Sequence, residues 1–119
     1  MNVGDTFINN NPSSYPHLWV LTAGPTVADE FLIFNLTSHT SGCDETCLVQ
    51  PGEHPFVRHL SVVRYQRGRL LPRQLLEDPA SLCAWNTPIG ATLLQRIQAG
   101  ALASRFTKRR YQEIVRAHS

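Results

Sequence analysis

Apolar residues in the first seventy positions come in short blocks divided by Pro, Gly, Asn and Ser, whereas beyond Thr87 they recur every three to four residues. The first spacing suits strands and the second suits helices, so the chain divides into a β part followed by an α part. Val3-Gly4-Asp5-Thr6-Phe7-Ile8 reads as a turn feeding a first strand. Residues 9–16 (NNNPSSYP) read as a loop, because Pro12 and Pro16 exclude regular structure. His17 to Thr22 predicts a second strand, with Leu18, Val20 and Thr22 alternating against Trp19 and Leu21. After the break at Ala23-Gly24-Pro25, Glu30 to Thr37 is the most apolar segment; being hydrophobic on both faces, it is expected at the centre of a sheet. A polar loop, Thr37 to Gly42, follows. Cys47-Leu48-Val49 and Leu60-Ser61-Val62-Val63 then predict strands on either side of Pro51-Gly52, with Arg69-Leu70-Leu71 as a short edge piece before Pro72.

In the α part, Gln74 to Asp78 is at most a short helical turn. Thr87-Pro88 has the form of an N-cap followed by a first helical position. Ile89, Leu93, Leu94 and Ile97 make Pro88 to Gln98 an amphipathic helix that ends near Gly100. A last helix is expected behind a Thr107 cap, with Tyr111, Ile114 and Val115 inward and Lys108, Arg109, Arg110 and Arg116 mostly outward. The expected fold class is mainly β with C-terminal α-helices: five to six short antiparallel strands closing into a small barrel with helices packed on it.

At 119 residues the chain has the length of one domain, expected over 1–119 with a barrel at about 3–71 and a helical part at about 87–117. No apolar run reaches 18 residues and no secretory signal is visible, so no membrane span is expected. Three cysteines, Cys43, Cys47 and Cys83, form an odd set that suits reduced thiols and a cytoplasmic location. The net charge of +2 conceals an asymmetry: six acids and no Lys or Arg up to Val57, then eleven cations and three acids from Arg58 onward. Ten of those cations are Arg, whose planar fork suits phosphate or carboxylate. The two halves can equally pair with each other, and composition leaves both readings open.

Candidate chemistry concentrates in Asp44 to Arg67, where imidazole, carboxylate, hydroxyl and guanidinium groups crowd one loop between two strands. Cys43, Cys47, His54 and His59 stand in an order compatible with tetrahedral zinc, but the six-residue gap between Cys47 and His54 is shorter than in the usual finger. Cys47 also alternates into an apolar strand face, where a thiol acts as a small hydrophobe. Neither Cys43 nor Cys83 has a visible acid–base framework. No cofactor is called for.

Three segments carry a family resemblance. Val3-Gly4-Asp5 before a strand, His17-Leu18-Trp19-Val20-Leu21-Thr22 after a long loop, and Phe34-Asn35-Leu36-Thr37-Ser38 together resemble the PemK/MazF toxins, the SH3-like barrels of toxin–antitoxin systems. His54-Pro55-Phe56 followed by Ser61-Val62-Val63 looks like a divergent branch of the same barrel, and the likeness covers about 3–71. It implies an SH3-like barrel, metal-independent cleavage of single-stranded RNA, a homodimer and an antitoxin protein partner. Where that family carries Arg-Pro before its second strand, this chain reads Tyr15-Pro16-His17, and no Arg precedes position 58. Arg58 and Arg64 are then the cations available to the scissile phosphate. RNA cleavage of this kind needs a base for the 2′-hydroxyl, an acid for the leaving 5′-oxygen and donors around the phosphorane. His17, His54, His59, Arg58, Ser61 and Arg64 are the catalytic candidates, and Thr37, Ser38, His39, Tyr65 and Arg67 the substrate-binding ones. The plain alternative for each is a solvated or turn-fixing residue. The alternative for the whole is a non-catalytic module that binds a protein or nucleic acid in a regulatory or defence role.

Overall fold

The computed structural model describes residues 1–9, 15–81 and 83–119. Six strands, β1 (Thr6–Asn9), β2 (Leu18–Ala23), β3 (Glu30–Ser38), β4 (Leu48–Val49), β5 (Ser61–Pro72) and β6 (Cys83–Asn86), form one sheet in the order β4-β5-β3-β2-β1-β6. All neighbouring strands are antiparallel. The sheet curls into a half-barrel. A short helix α1 (Arg73–Glu77) lies between β5 and β6, and helices α2 (Ala91–Ala103) and α3 (Arg109–His118) complete the chain. This is the mainly-β architecture with C-terminal helices that the spacing of apolar blocks predicts. Among the described residues no helix is long and apolar enough to cross a membrane.

β3 is interior to the sheet, and its unbroken apolar run has a physical reason: both of its faces are covered. Leu32, Phe34 and Leu36 join Leu18, Val20, Val63 and Tyr65 beneath Leu93, Ile97, Tyr111 and Val115 of the helices. Phe31 and Ile33 face the other way, into a smaller cluster with Phe7, Leu21 and Leu76. Each such fully buried side chain contributes roughly 1.5–3 kcal/mol of transfer free energy.

Four features depart from the sequence-based expectation. The strand at Leu60–Val63 and the edge piece at Arg69–Leu71 are one strand, β5, whose pairing with β3 shifts at a bulge. Asn35 faces Arg64 and Ile33 faces Arg69, so Phe34 alone spans the turn of chain through Gly68. A Cβ at Gly68 would come within 2.5 Å of Phe34 and 3.2 Å of Tyr111, which is why glycine sits where α3 packs down. β6 was not anticipated; it pairs with β1, Phe7 opposite Trp85.

Helix α2 starts after Gly90 and runs past Gly100. Thr87 lies outside the helix, with its carbonyl accepting hydrogen bonds from Thr6 Oγ1 (2.7 Å) and His54 Nε2 (2.6 Å). Gly100 is no cap: it lies against the Tyr65 ring and Cys47, leaving no room for a side chain. Thr107 does not cap α3; Lys108 occupies that position, and the buried Thr107 hydroxyl has no partner among the described residues. The loop expected over 9–16 falls mostly outside the described residues.

Candidate functional site

The register that builds the sheet also brings three loops to one end of it. Ser38, the last residue of β3, pairs with Ser61, the first of β5, and Thr37 pairs with Val62. His17 stands one position before the Leu18–Leu36 pair, at the same end of β2. The His17 backbone N–H is fixed by Asn9 Oδ1 at 2.9 Å. The loop before β5 closes onto this end through His39 N–H to Leu60 O (2.9 Å) and Ser61 Oγ to His59 O (2.9 Å).

The result is an open cleft of about 460 Å³ lined by Tyr15, Pro16, His17, Leu36, Thr37, Ser38, Phe56, Val57, Arg58, His59 and Ser61. Six of the candidate residues therefore share one concavity: His17, Thr37, Ser38, Arg58, His59 and Ser61. Arg58 and His59 are exposed, and Arg58 makes no ion pair among the described residues. Two aromatic rims, Tyr15 (86% exposed) and Phe56 (37%), were not among the candidates. Their signal lay in the sequence: each is an aromatic beside a proline in a polar loop, a poor place to hide a ring.

The other five candidates lie elsewhere. His54 is 2% exposed and belongs to the packing. Its Nδ1 accepts the Phe56 N–H at 3.0 Å, so Nε2 carries the proton that it donates to Thr87 O. Both nitrogens are engaged, and no substrate atom reaches them. Tyr65 is 1% exposed and donates to Ile97 O at 2.8 Å. Burial above all, and then Cys47 beside it, pushes its hydroxyl pKa far above the ordinary tyrosine range. His39 is tied to Glu45 at 2.6 Å. Arg67 is exposed on the bulged part of β5 and lines neither this cleft nor its neighbour. Arg64 lines a second, adjacent cleft.

Cys43, Cys47, His54 and His59 do not converge: no three His, Cys, Asp or Glu side chains among the described residues gather as metal ligands. Burial raises the Cys47 thiol pKa, with Tyr65 and Arg96 opposing more weakly, so this cysteine acts as core rather than as nucleophile. The charge asymmetry is only partly cancelled within the fold. Arg96 with Glu53, and Arg73 with Asp29, join the acidic and basic halves. Arg58, Arg64, Arg67 and Arg69 keep no acidic partner among the described residues. The cleft thus combines two imidazoles, a free guanidinium, three hydroxyls and exposed aromatic faces. Compared with family models, curated proteins and solved structures, the chain matches none.

Proposed function

We propose that the cleft binds single-stranded RNA and cleaves it without a metal ion, in the manner of the PemK/MazF toxins that the sequence resembles. The observation carrying this reading is the gathering of His17, His59 and Arg58 with Thr37, Ser38 and Ser61 in one open concavity. His17 and His59 take the two proton-transfer roles, since an imidazole changes charge near neutrality. One accepts the proton of the 2′-hydroxyl as its oxygen attacks phosphorus, and the other protonates the 5′-oxygen as the P–O5′ bond breaks, leaving a cyclic phosphate. Arg58 holds the phosphate charge, and the Thr37 and Ser38 hydroxyls donate hydrogen bonds to its oxygens, while Ser61, whose hydroxyl donates to His59 O, shapes the loop beside them. Tyr15 and Phe56 offer faces on which flanking bases stack, a mode that tolerates any sequence. A homodimer and an antitoxin partner accompany this reading through the resemblance, and a cytoplasmic setting through the odd set of three cysteines.

The test is incubation of purified protein with single-stranded RNA in EDTA. Cleavage is expected from the unsubstituted chain and its loss from Arg58→Ala. Intact RNA throughout would move the site to the second reading, a non-catalytic nucleic-acid or protein-binding module. One observation favours that reading: neither His17 nor His59 has a carboxylate partner to orient its ring among the described residues.

A further inference from the structure

The RNA cleft does not end at Ser38. A second hollow of about 340 Å³ shares Thr37 and Ser38 with it, and is otherwise lined by residues 40–44, by Val62 and Val63, and by Arg64 and Gln66. Thr37 and Ser38, successive residues at the end of strand β3 whose side chains point to opposite faces, line both hollows and form the saddle between them. Arg64 sits three residues along β5 from Ser61, about 10 Å at roughly 3.3 Å per residue, and it makes no ion pair among the described residues. Across the ladder from Arg64 is Asn35, whose buried Oδ1 has no hydrogen-bond partner among the described residues.

The one acid in this hollow is already committed. Asp44 accepts hydrogen bonds from Thr46 and, at 2.7 Å, from Ser104 Oγ. Partial burial pushes its pKa up, but those bonds and the nearby Arg105 guanidinium outweigh it and hold the carboxyl low. Its charge is thus spent on the chain itself. The same bond joins the hollow to the corner before α3, where Arg105 lies 4.8 Å over Phe106, and Lys108 and Arg110 lie 5.6 and 4.8 Å over Tyr111. None of these three cations makes a close ion pair among the described residues, although Arg105 is near enough to Asp44 to help hold its carboxyl low.

From this continuity we infer that the second hollow is an extended RNA subsite: the strand crosses the Thr37–Ser38 saddle, places a phosphate on Arg64 and runs on to Arg105 and Lys108. The inference rests on the RNA reading of the first cleft and adds a footprint and a direction of travel across the surface. Phosphate contacts of this kind give affinity without sequence choice and weaken with salt.

The experiment measures binding of end-labelled trinucleotide and decanucleotide RNA by fluorescence anisotropy at low and moderate salt. The unsubstituted protein is expected to bind the longer RNA at least tenfold more tightly, with a steeper salt dependence. Arg64→Ala, and separately Arg105→Ala with Lys108→Ala, are expected to remove most of that gain. The second pair is exposed, so its folding, checked by thermal melting, secures the test if the Arg64 variant fails to fold. An unchanged gain in both variants overturns the subsite and leaves the first cleft standing. No binding of either RNA by the unsubstituted protein overturns both.

Discussion

His54 and His59 are the same residue type five positions apart in one loop, yet the fold gives them opposite settings, one buried and one exposed. The half of the loop around His54 is tied from every side. Gly52 N–H bonds Val57 O, Val57 N–H bonds His54 O, and Gln50 N–H bonds Glu53, which is clamped by Arg96 of α2. His54 spans from this half to Thr87, pinning the loop to the chain that leads into α2. Among the described residues, the half around Arg58 and His59 is held through its backbone carbonyls, His59 O and Leu60 O, and both side chains line the open cleft. One half fixes the position of the loop; the other turns its side chains to the cleft. An imidazole in a sequence therefore says little until its partners are known.

The contrast can be broken in several ways. The largest effect is expected in the free half. Arg58→Ala should lower RNA cleavage by a factor on the order of 10² or more while leaving the melting temperature within a degree or two. Equal cleavage by this variant would remove Arg58 from the chemistry. In the tied half, His54→Ala leaves the Phe56 N–H without its acceptor and opens a cavity. It should destabilise the fold by about 2–4 kcal/mol in urea denaturation. A cost below about 1 kcal/mol would mean that the imidazole is not a structural tie.

Phe56 straddles the two halves, with its N–H on His54 and its ring on the cleft rim. Phe56→Ala keeps the backbone bond and should weaken RNA binding by about 1–3 kcal/mol, the range for a lost base–aromatic stack, with little change in stability. A variant that binds RNA normally but melts early would assign the ring to packing instead. The smallest effect concerns Glu53. The hydrogen bond from Arg96 depresses its pKa most, burial opposes this, and the Gln50 N–H adds to the lowering. A depressed carboxyl stabilises the fold fully above its ordinary value of 4.5 and loses that contribution as pH falls through the lowered one. Glu53→Gln should therefore cost at most about 1 kcal/mol at neutral pH, for a partly exposed pair. It should also flatten the fall of stability on acidification; an unchanged acid limb would deny the clamp its role.

The fold was largely legible because strand and helix periods differ and β3 is covered on both faces. β6 was not: Cys83-Ala84-Trp85-Asn86 has no alternation to read, and its existence depends on β1, more than seventy residues earlier. The early stop assigned to α2 failed for a similar reason. Gly100 marks a close approach by Tyr65, a tertiary contact that sequence spacing does not encode. Of the site, the open residues around Ser38, Arg58 and His59 were legible because polar, titratable side chains cluster at strand ends. The burial of His54 was not, since its partner Thr87 lies 33 residues away and offers only a backbone carbonyl. Tyr65 gave the same difficulty: its hydroxyl is satisfied by the Ile97 carbonyl inside a helix.

The most direct measurement compares His59→Ala with the unsubstituted protein for cleavage of single-stranded RNA in EDTA, with urea denaturation of both. Loss of cleavage by a factor of about 10²–10⁴ with stability unchanged within about 0.5 kcal/mol is the expected result. Undiminished cleavage by the variant, or an unsubstituted protein that leaves the RNA whole, would contradict the assignment of chemistry to the open half of the loop.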